Sequence, residues 1–204
     1  MLKTIEQHQH ALSECQKCPK MHRPVIMGKA INTPIISIGQ APGVREADFA
    51  QPFAWTAGKT LFKWFETIGI NEQQYRQNIY MAAVCRCYPG KNPKSGDRVP
   101  NKQEIENCEP WLAQEFALLK PKLIIPIGKL AINQLIKINK LTDIIGQQKQ
   151  IKLYDCTVDV FALPHPSGLS TWFRSSPGKE LTAQALGLIQ QHDSWRERFE
   201  TGFI

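Results

Sequence analysis

Four short apolar runs, rich in β-branched residues, punctuate the chain: "PIISIG" (34–39), "NIYMAAV" (78–84), "LIIPIG" (123–128) and "VDVFALP" (158–164). Runs that are apolar on both faces suit strands of a buried parallel sheet. Between them the period changes. Leu61, Trp64, Phe65 and Ile68 recur at three- and four-residue spacing, and 110–119, 129–137 and 179–192 follow the same helical pattern. Pro110 reads as the opening residue of its helix. The polar N-terminal stretch "MLKTIEQHQHALSECQKC" is also helical in pattern. Strand–helix alternation without repeats or low-complexity linkers predicts one domain over 1–204, an open α/β sheet covered on both faces. Such sheets bind ligands at the carboxyl ends of their strands, so the loops after 39, 84 and 163 are the places to look for chemistry.

Composition narrows the class. The 204 residues are 42% hydrophobic and 21% charged, as in soluble globular domains. No run of about 18 apolar residues is present, so no membrane span is expected. The N-terminus lacks an apolar signal region, and a cytoplasmic location is expected. Lys and Arg exceed Asp and Glu by 25 to 18, a net charge of +7. A basic balance favours a polyanionic partner.

Six cysteines follow: Cys15, Cys18, Cys85, Cys87, Cys108 and Cys156. In a cytoplasmic chain they read poorly as disulfides. Cys15 and Cys18 form a C-x-x-C pair before Pro19, a spacing that lets two thiolates reach one metal centre. Cys87 is placed at a strand end and Cys108 in a helical stretch. Four thiolates suit structural zinc or an iron–sulfur cluster, and spacing does not choose between them. Cys156 reads as a small buried hydrophobe.

Two loops carry candidate chemistry. "GQAPGVREADFAQPFAWTAGK" (39–59) has neither the spacing of a phosphate-binding P-loop nor that of a dinucleotide fingerprint. It reads as a pocket floor in which Pro42 and Gly43 turn the chain and Phe53 offers a ring face; alone, Phe53 would read as core packing. In "LPHPSGLSTWFRSS" (163–176), His165 is bracketed by two prolines and followed by Ser167, Leu169, Trp172, Phe173 and Arg174. Leu169, Trp172 and Arg174 suit a wedge or stacking contact with nucleic acid, and Trp172 and Phe173 equally suit a core cap. The segment 92–102, "NPKSGDRVPNK", reads as a solvated turn, with an added basic loop as the alternative.

These motifs, in this order, resemble the uracil-DNA glycosylase superfamily, above all its iron–sulfur members, families 4 and 5. The matching pieces are "CQKC", "GQAPGVREADFAQPFAWTAG", "VCRCYPG", "EIENCEPWL", "PKLIIPIGKLA" and "HPSG", spread from Cys15 to Leu186. The resemblance implies a three-layer α/β/α sandwich with a central four-stranded parallel sheet. It implies a [4Fe–4S] cluster on Cys15, Cys18, Cys87 and Cys108, with Cys85 as a non-ligand. It further implies a monomer acting on DNA that carries a deaminated base. Gly39, Ala41, Phe53 and Ala83 would line the base pocket, Phe53 stacking on a flipped-out base. His165 would stabilise the departing base. Ser167, Leu169, Trp172 and Arg174 would contact DNA.

The chain departs from the family 4 pattern at two places. Gln40 stands where family 4 has a Glu, and an amide orients water without accepting its proton. Glu46 matches an acidic position of the family, and Glu46 or Asp48 is the candidate replacement carboxylate. Ala83 stands where family 4 has a base-reading Asn. The expected function is a DNA glycosylase with altered base preference. The alternatives are a non-catalytic nucleic-acid-binding relative and a zinc-stabilised nucleotide hydrolase.

Overall fold

A computed structural model describes residues 4–94, 96–153 and 155–200. The elements run α1 (Ile5–Ser13), β1 (Ile35–Gly39), α2 (Glu46–Phe49), α3 (Thr56–Glu66), α4 (Glu72–Asn78), β2 (Tyr80–Ala83), α5 (Lys102–Leu119), β3 (Leu123–Pro126), α6 (Lys129–Leu135), β4 (Gln148–Leu153), β5 (Cys156–Phe161), α7 (Gly178–Gln191) and α8 (Asp193–Phe199). The sheet has five strands in the order β2-β1-β3-β5-β4. The first four are mutually parallel, and β4 runs antiparallel to β5 at the edge. The expectation of a four-stranded parallel sheet is therefore corrected to a five-stranded mixed one. Strand β4, "QKQIKL", is exposed along most of its length and has no apolar run to betray it. Lysines on an edge strand also discourage pairing with another sheet.

Strand side chains divide between two cores. Ile35, Met81, Leu123, Ile125 and Phe161 join Leu61, Phe65, Tyr75, Leu186 and Trp195 of the helices on one face. Ile36, Ile38, Tyr80, Ile124 and Val160 join Ile5, Leu112 and Phe116 on the other. Covering both faces explains why β1 is buried at every position. Parallel register (Gly39 beside Ala83, Ile38 beside Pro126) brings the carboxyl ends of β1, β2 and β3 to one edge.

Helix α5 overturns the reading of Pro110 as a helix start. The helix begins eight residues earlier, at a reciprocal cap in which Asn101 Oδ1 accepts from Glu104 N (3.0 Å) and Glu104 Oε2 accepts from Asn101 N (2.8 Å). Pro110 lies inside it on the exposed face, where water can take the carbonyl bond that proline forfeits. Strand β2 also stops at Ala83, so Cys87 lies in the following loop and not at a strand end.

The second core encloses an ion pair. Arg86, after β2, donates from Nη2 to Glu115 of α5, both side chains being buried. Glu115 also accepts from Tyr80 Oη (2.7 Å) and meets His8 Nε2 of α1 (3.3 Å). Burial alone would raise the Glu115 pKa, but the Arg86 guanidinium, with His8 and Tyr80, holds it below the usual carboxylate range. One carboxylate thus joins α1, β2, α5 and the loop after β2. Glu115→Ala would leave a buried guanidinium unpaired and should cost about 3–5 kcal/mol, read as a lowered urea midpoint with unchanged slope.

Candidate active site and cysteine cavity

A cavity of about 650 Å³ opens at the carboxyl edge of the sheet. Gly39, Gln40 and Ala41 leave β1 along its floor, and Ala83 ends β2 beside them. Gln40 lines the cavity, and its carbonyl accepts from Cys85 N (3.1 Å). Glu46 and Phe53 enter from the loop after β1, and His165, Ser167 and Leu169 from the loop after β5.

Phe53 is held in the left-handed region at φ 54°, uncommon for an aromatic residue. Arg76 of α4 accounts for it, donating from Nη1 to the Pro52 carbonyl (2.8 Å) and from Nη2 to the Phe53 carbonyl (3.2 Å). Arg76 is itself fixed by Glu72 (2.8 Å) and by the Phe62 ring, 4.7 Å from its guanidinium carbon. The Phe53 carbonyl then lies so close to α3 that a Cβ on Gly58 would sit 1.7 Å from it. A Cβ on Gly39 would fall 3.2 Å from the Phe53 ring. These two glycines let the ring lie flat along the end of β1.

The two candidate carboxylates separate. Asp48 is exposed and paired with Arg45 (3.4 Å). Glu46 is half-buried in the cavity. Burial pushes its pKa up to about 7, against the pull of the Phe53 and Gly43 N–H groups and the Arg76 charge; Asp97 pushes it further the same way. Asp97 belongs to the segment read as a solvated turn. Yet Gly96 and Asp97 line the cavity, with Asp97 Oδ1 accepting from Tyr88 Oη (3.0 Å). The neighbouring Arg98 forks onto Glu104 of α5 (2.7 and 2.6 Å), fixing the segment. Ser95 lies outside the described residues.

His165 Nδ1 accepts from the Ser167 N–H (3.3 Å), which leaves Nε2 to carry the ring proton. Burial lowers its pKa, so the ring is neutral at pH 7. It packs on Gly128, whose φ of 89° and missing Cβ (which would lie 3.0 Å from His165 Cδ2) require glycine. Leu169 is 71% exposed at the cavity mouth, against Gly96. Trp172 leans on the first core, Phe173 meets Trp64 edge-on at 5.0 Å, and Arg174 lies over Phe173. Trp172 and Arg174 do not line the cavity.

A second cavity, of about 440 Å³, is lined by Cys15, Cys18, Cys87 and Cys108 together with Met21, Arg23 and Arg86. An antiparallel bridge brings the C-x-x-C turn to Cys87: His22 N donates to the Tyr88 carbonyl (2.8 Å) and Tyr88 N to the His22 carbonyl (3.1 Å). Asn107 Nδ2 donates to Cys18 Sγ (3.4 Å) and to the Lys17 carbonyl (3.1 Å), tying the same turn to α5. Among the described residues, no three His, Cys, Asp or Glu side chains are gathered tightly enough for a single metal ion. The four thiols surround a cavity instead. Cys85 is buried outside it with Sγ 3.5 Å from the Glu104 carbonyl, and Cys156 packs against the second core. Arg86 Nη1 is buried with no hydrogen-bond partner, and Arg86 is one of the residues lining this cavity.

Sequence reasoning missed Arg76, Arg86 and Asp97. Two capping boxes, Asn71/Gln74 on α4 and Asn101/Glu104 on α5, are sequence patterns that place the helices around Arg76 and Arg98. No helix among the described residues is long and apolar enough to cross a membrane.

Comparison with known proteins gives the family. Residues 26–186 match the profile of the uracil DNA glycosylase superfamily. The chain is 28% identical over 166 residues to a type-4 uracil-DNA glycosylase of Pyrobaculum aerophilum, covering 78% of this chain and 80% of that protein. A type-4 uracil-DNA glycosylase of Saccharolobus solfataricus is 28% identical over 163 residues (76% and 71%). A type-5 uracil-DNA glycosylase of Pyrobaculum aerophilum is 25% identical over 159 residues (72% and 67%). A cavity at the strand ends with a histidine and an aromatic wall, a separate four-cysteine cavity and a family match across most of the chain lead to one conclusion: the chain belongs to the uracil DNA glycosylase superfamily.

Proposed function

We propose that this protein is a DNA glycosylase that hydrolyses the N-glycosidic bond of a flipped-out deaminated base, uracil or a relative of it. The observation that carries the reading is the single cavity shared by the Phe53 ring, the neutral His165 with its Nε2 proton, and the Glu46 carboxyl. In this reading the base stacks on Phe53 between Gly39, Ala41 and Ala83. As the bond from C1′ to the base nitrogen breaks, its electron pair moves into the base. His165 Nε2–H donates to the carbonyl oxygen that gains charge. Water held by Gln40 adds to C1′ and passes its proton to Glu46, whose pKa near 7 suits a general base. Leu169 fills the gap left in the duplex, and Ser167, with Trp172 and Arg174 farther along the loop, meets the backbone. The net charge of +7 supports a DNA partner.

We further infer that Cys15, Cys18, Cys87 and Cys108 hold a [4Fe–4S] cluster. Four thiols around a cavity and a buried guanidinium with an unused donor fit a bulky anionic group. When bound, the cluster would supply a cross-link between the turn after α1, the loop after β2 and helix α5. A second reading, a nucleic-acid-binding relative without turnover, draws on Gln40 and Ala83, which remove a carboxylate and a base-reading amide from the strand ends.

Purified anaerobically, the protein should be brown and carry about four irons per chain. Cys15→Ser or Cys108→Ser should bleach it, and Cys156→Ser should not; one zinc in a colourless protein would remove the cluster assignment. Base release should be assayed on single- and double-stranded DNA bearing uracil, hypoxanthine or xanthine. His165→Ala should lower release by about 10²–10³-fold while DNA affinity stays near wild type. DNA binding with no release on any of these substrates would favour the second reading. For the wild type, kcat/KM should rise with pH and level off above about 7 as Glu46 ionises. Glu46→Gln should remove that rise and cut the rate by about 10²-fold, the low end for a general base. A wild-type profile flat between pH 5 and 9 would take the base role away from Glu46.

A further inference from the structure

Arg86 divides its donors among three directions. Nε donates to the Ala83 carbonyl (2.9 Å) at the end of β2, beside the base cavity. Nη2 donates to Glu115. Nη1 has no partner, although the residue is only 2% exposed and lines the four-cysteine cavity. Leaving a buried charged donor unused is costly, more so than for a neutral group. Its main chain is engaged as well: the Arg86 carbonyl accepts from Ile26 N (2.7 Å). The side chain therefore has no freedom to seek water elsewhere. Arg23, the other arginine at this cavity, is exposed and donates to the Ser13 carbonyl (2.6 Å).

We propose that Arg86 is a positioning residue shared by two sites, its Nη1–H donating to a sulfur of the metal centre while its Nε–H holds the Ala83 carbonyl at the floor of the base pocket. The proposal rests on the cluster reading above. A buried guanidinium beside an assembly of thiolates and sulfides neutralises charge where water does not reach. Donors to cluster sulfur stabilise the more negative, reduced state and so raise the potential. The Ala83 end of the bridge has a defined consequence. Val84 N donates to the Gly39 carbonyl (3.0 Å) and Cys85 N to the Gln40 carbonyl (3.1 Å), so the segment Arg86 steadies is the one that braces Gly39 and Gln40. Occupancy of the cysteine cavity and the shape of the base pocket are thereby linked through one side chain.

The test uses the holoprotein with 15N-labelled arginine side chains, its cluster reduced to the paramagnetic state and examined by pulsed electron paramagnetic resonance. A hyperfine coupling to guanidinium nitrogen is expected, kept in Arg23→Lys and lost in Arg86→Lys. Arg86→Lys, which keeps the charge but not the three-way fork, should also lower the reduction potential. It should speed hydrogen exchange at the Val84 and Cys85 amides by about tenfold, the loss of one hydrogen bond. Should Arg86→Lys fail to fold, the coupling in wild type and in Arg23→Lys still decides. An iron-loaded wild type without nitrogen coupling, or an iron-loaded Arg86→Lys with wild-type potential and exchange, overturns the proposal and leaves the cluster reading standing. A wild-type protein without iron overturns both.

Discussion

The buried pair of Arg86 and Glu115 is the constraint around which this molecule is arranged. Two desolvated charges bring little net stability by themselves, because burial opposes each of them. Their value lies in what they forbid. With Tyr80 and His8 also turned toward Glu115, α5 can neither slide along the sheet nor rotate without stranding a charge. Cys108 rides on that helix two turns before Glu115, and Cys87 follows Arg86 directly. The registry of Cys87 and Cys108 is therefore set by a polar contact in the second core, independently of whatever fills the cavity between them.

A second arginine does comparable work on the opposite side of the base cavity. Arg76 uses its fork to hold two consecutive carbonyls, and so keeps Phe53 in a backbone region that disfavours a large side chain. The strain is local and the restraint comes from α4, a rigid element. Gly58 and Gly39 then remove two Cβ atoms that would interfere. The same arrangement shapes electrostatics, since the loop that carries Phe53 also buries Glu46 and presents its own N–H to the carboxyl. Asp48, two residues along, faces solvent and pairs with Arg45. Two acids in one short helix thus have different chemistry because one turns inward.

How much of this was legible from the sequence follows from the kind of signal each part leaves. The four parallel strands are largely buried and contain apolar runs, so their existence and the loops beyond them were visible. Strand β4 is a mostly exposed edge reading Gln-Lys-Gln-Ile-Lys-Leu and leaves no such run. Pro110 misled because a proline on a solvent-facing helix position is tolerated where one facing the core would not be. The cysteines, Phe53 and His165 carry distinctive chemistry at distinctive spacing. Arg76, Arg86 and Asp97 do not: a lone arginine in sequence looks like surface charge, and only the packing of α4 and α5 turns it into a buried clamp. Asp97 was hidden for another reason. Its segment has the composition of a solvated turn, and what directs it to the cavity is the Arg98–Glu104 fork, a contact with a helix.

In the proposed reaction the two departures from the family pattern are not equally damaging, and physics says why. A glycosidic bond that breaks with oxocarbenium character asks little of its nucleophile. The group that accepts the water proton can then stand on α2 instead of at the end of β1, provided its pKa lies near neutrality, as that of Glu46 does. Leaving-group stabilisation has no such latitude. The charge would develop on a base positioned by the Phe53 ring, and the donor must be neutral at pH 7 with its proton on the correct nitrogen. Burial and the Ser167 N–H impose both conditions on His165. Ala83 works in the other direction. Without an amide at the end of β2, no side chain there reads the edge of the base, and a bidentate contact worth about 1–3 kcal/mol of discrimination is gone. In that reading selection would fall on the shape of the slot between Phe53, Gly39 and the segment that Arg86 braces. Such a pocket separates bases by size and carbonyl position more sharply than by donor pattern.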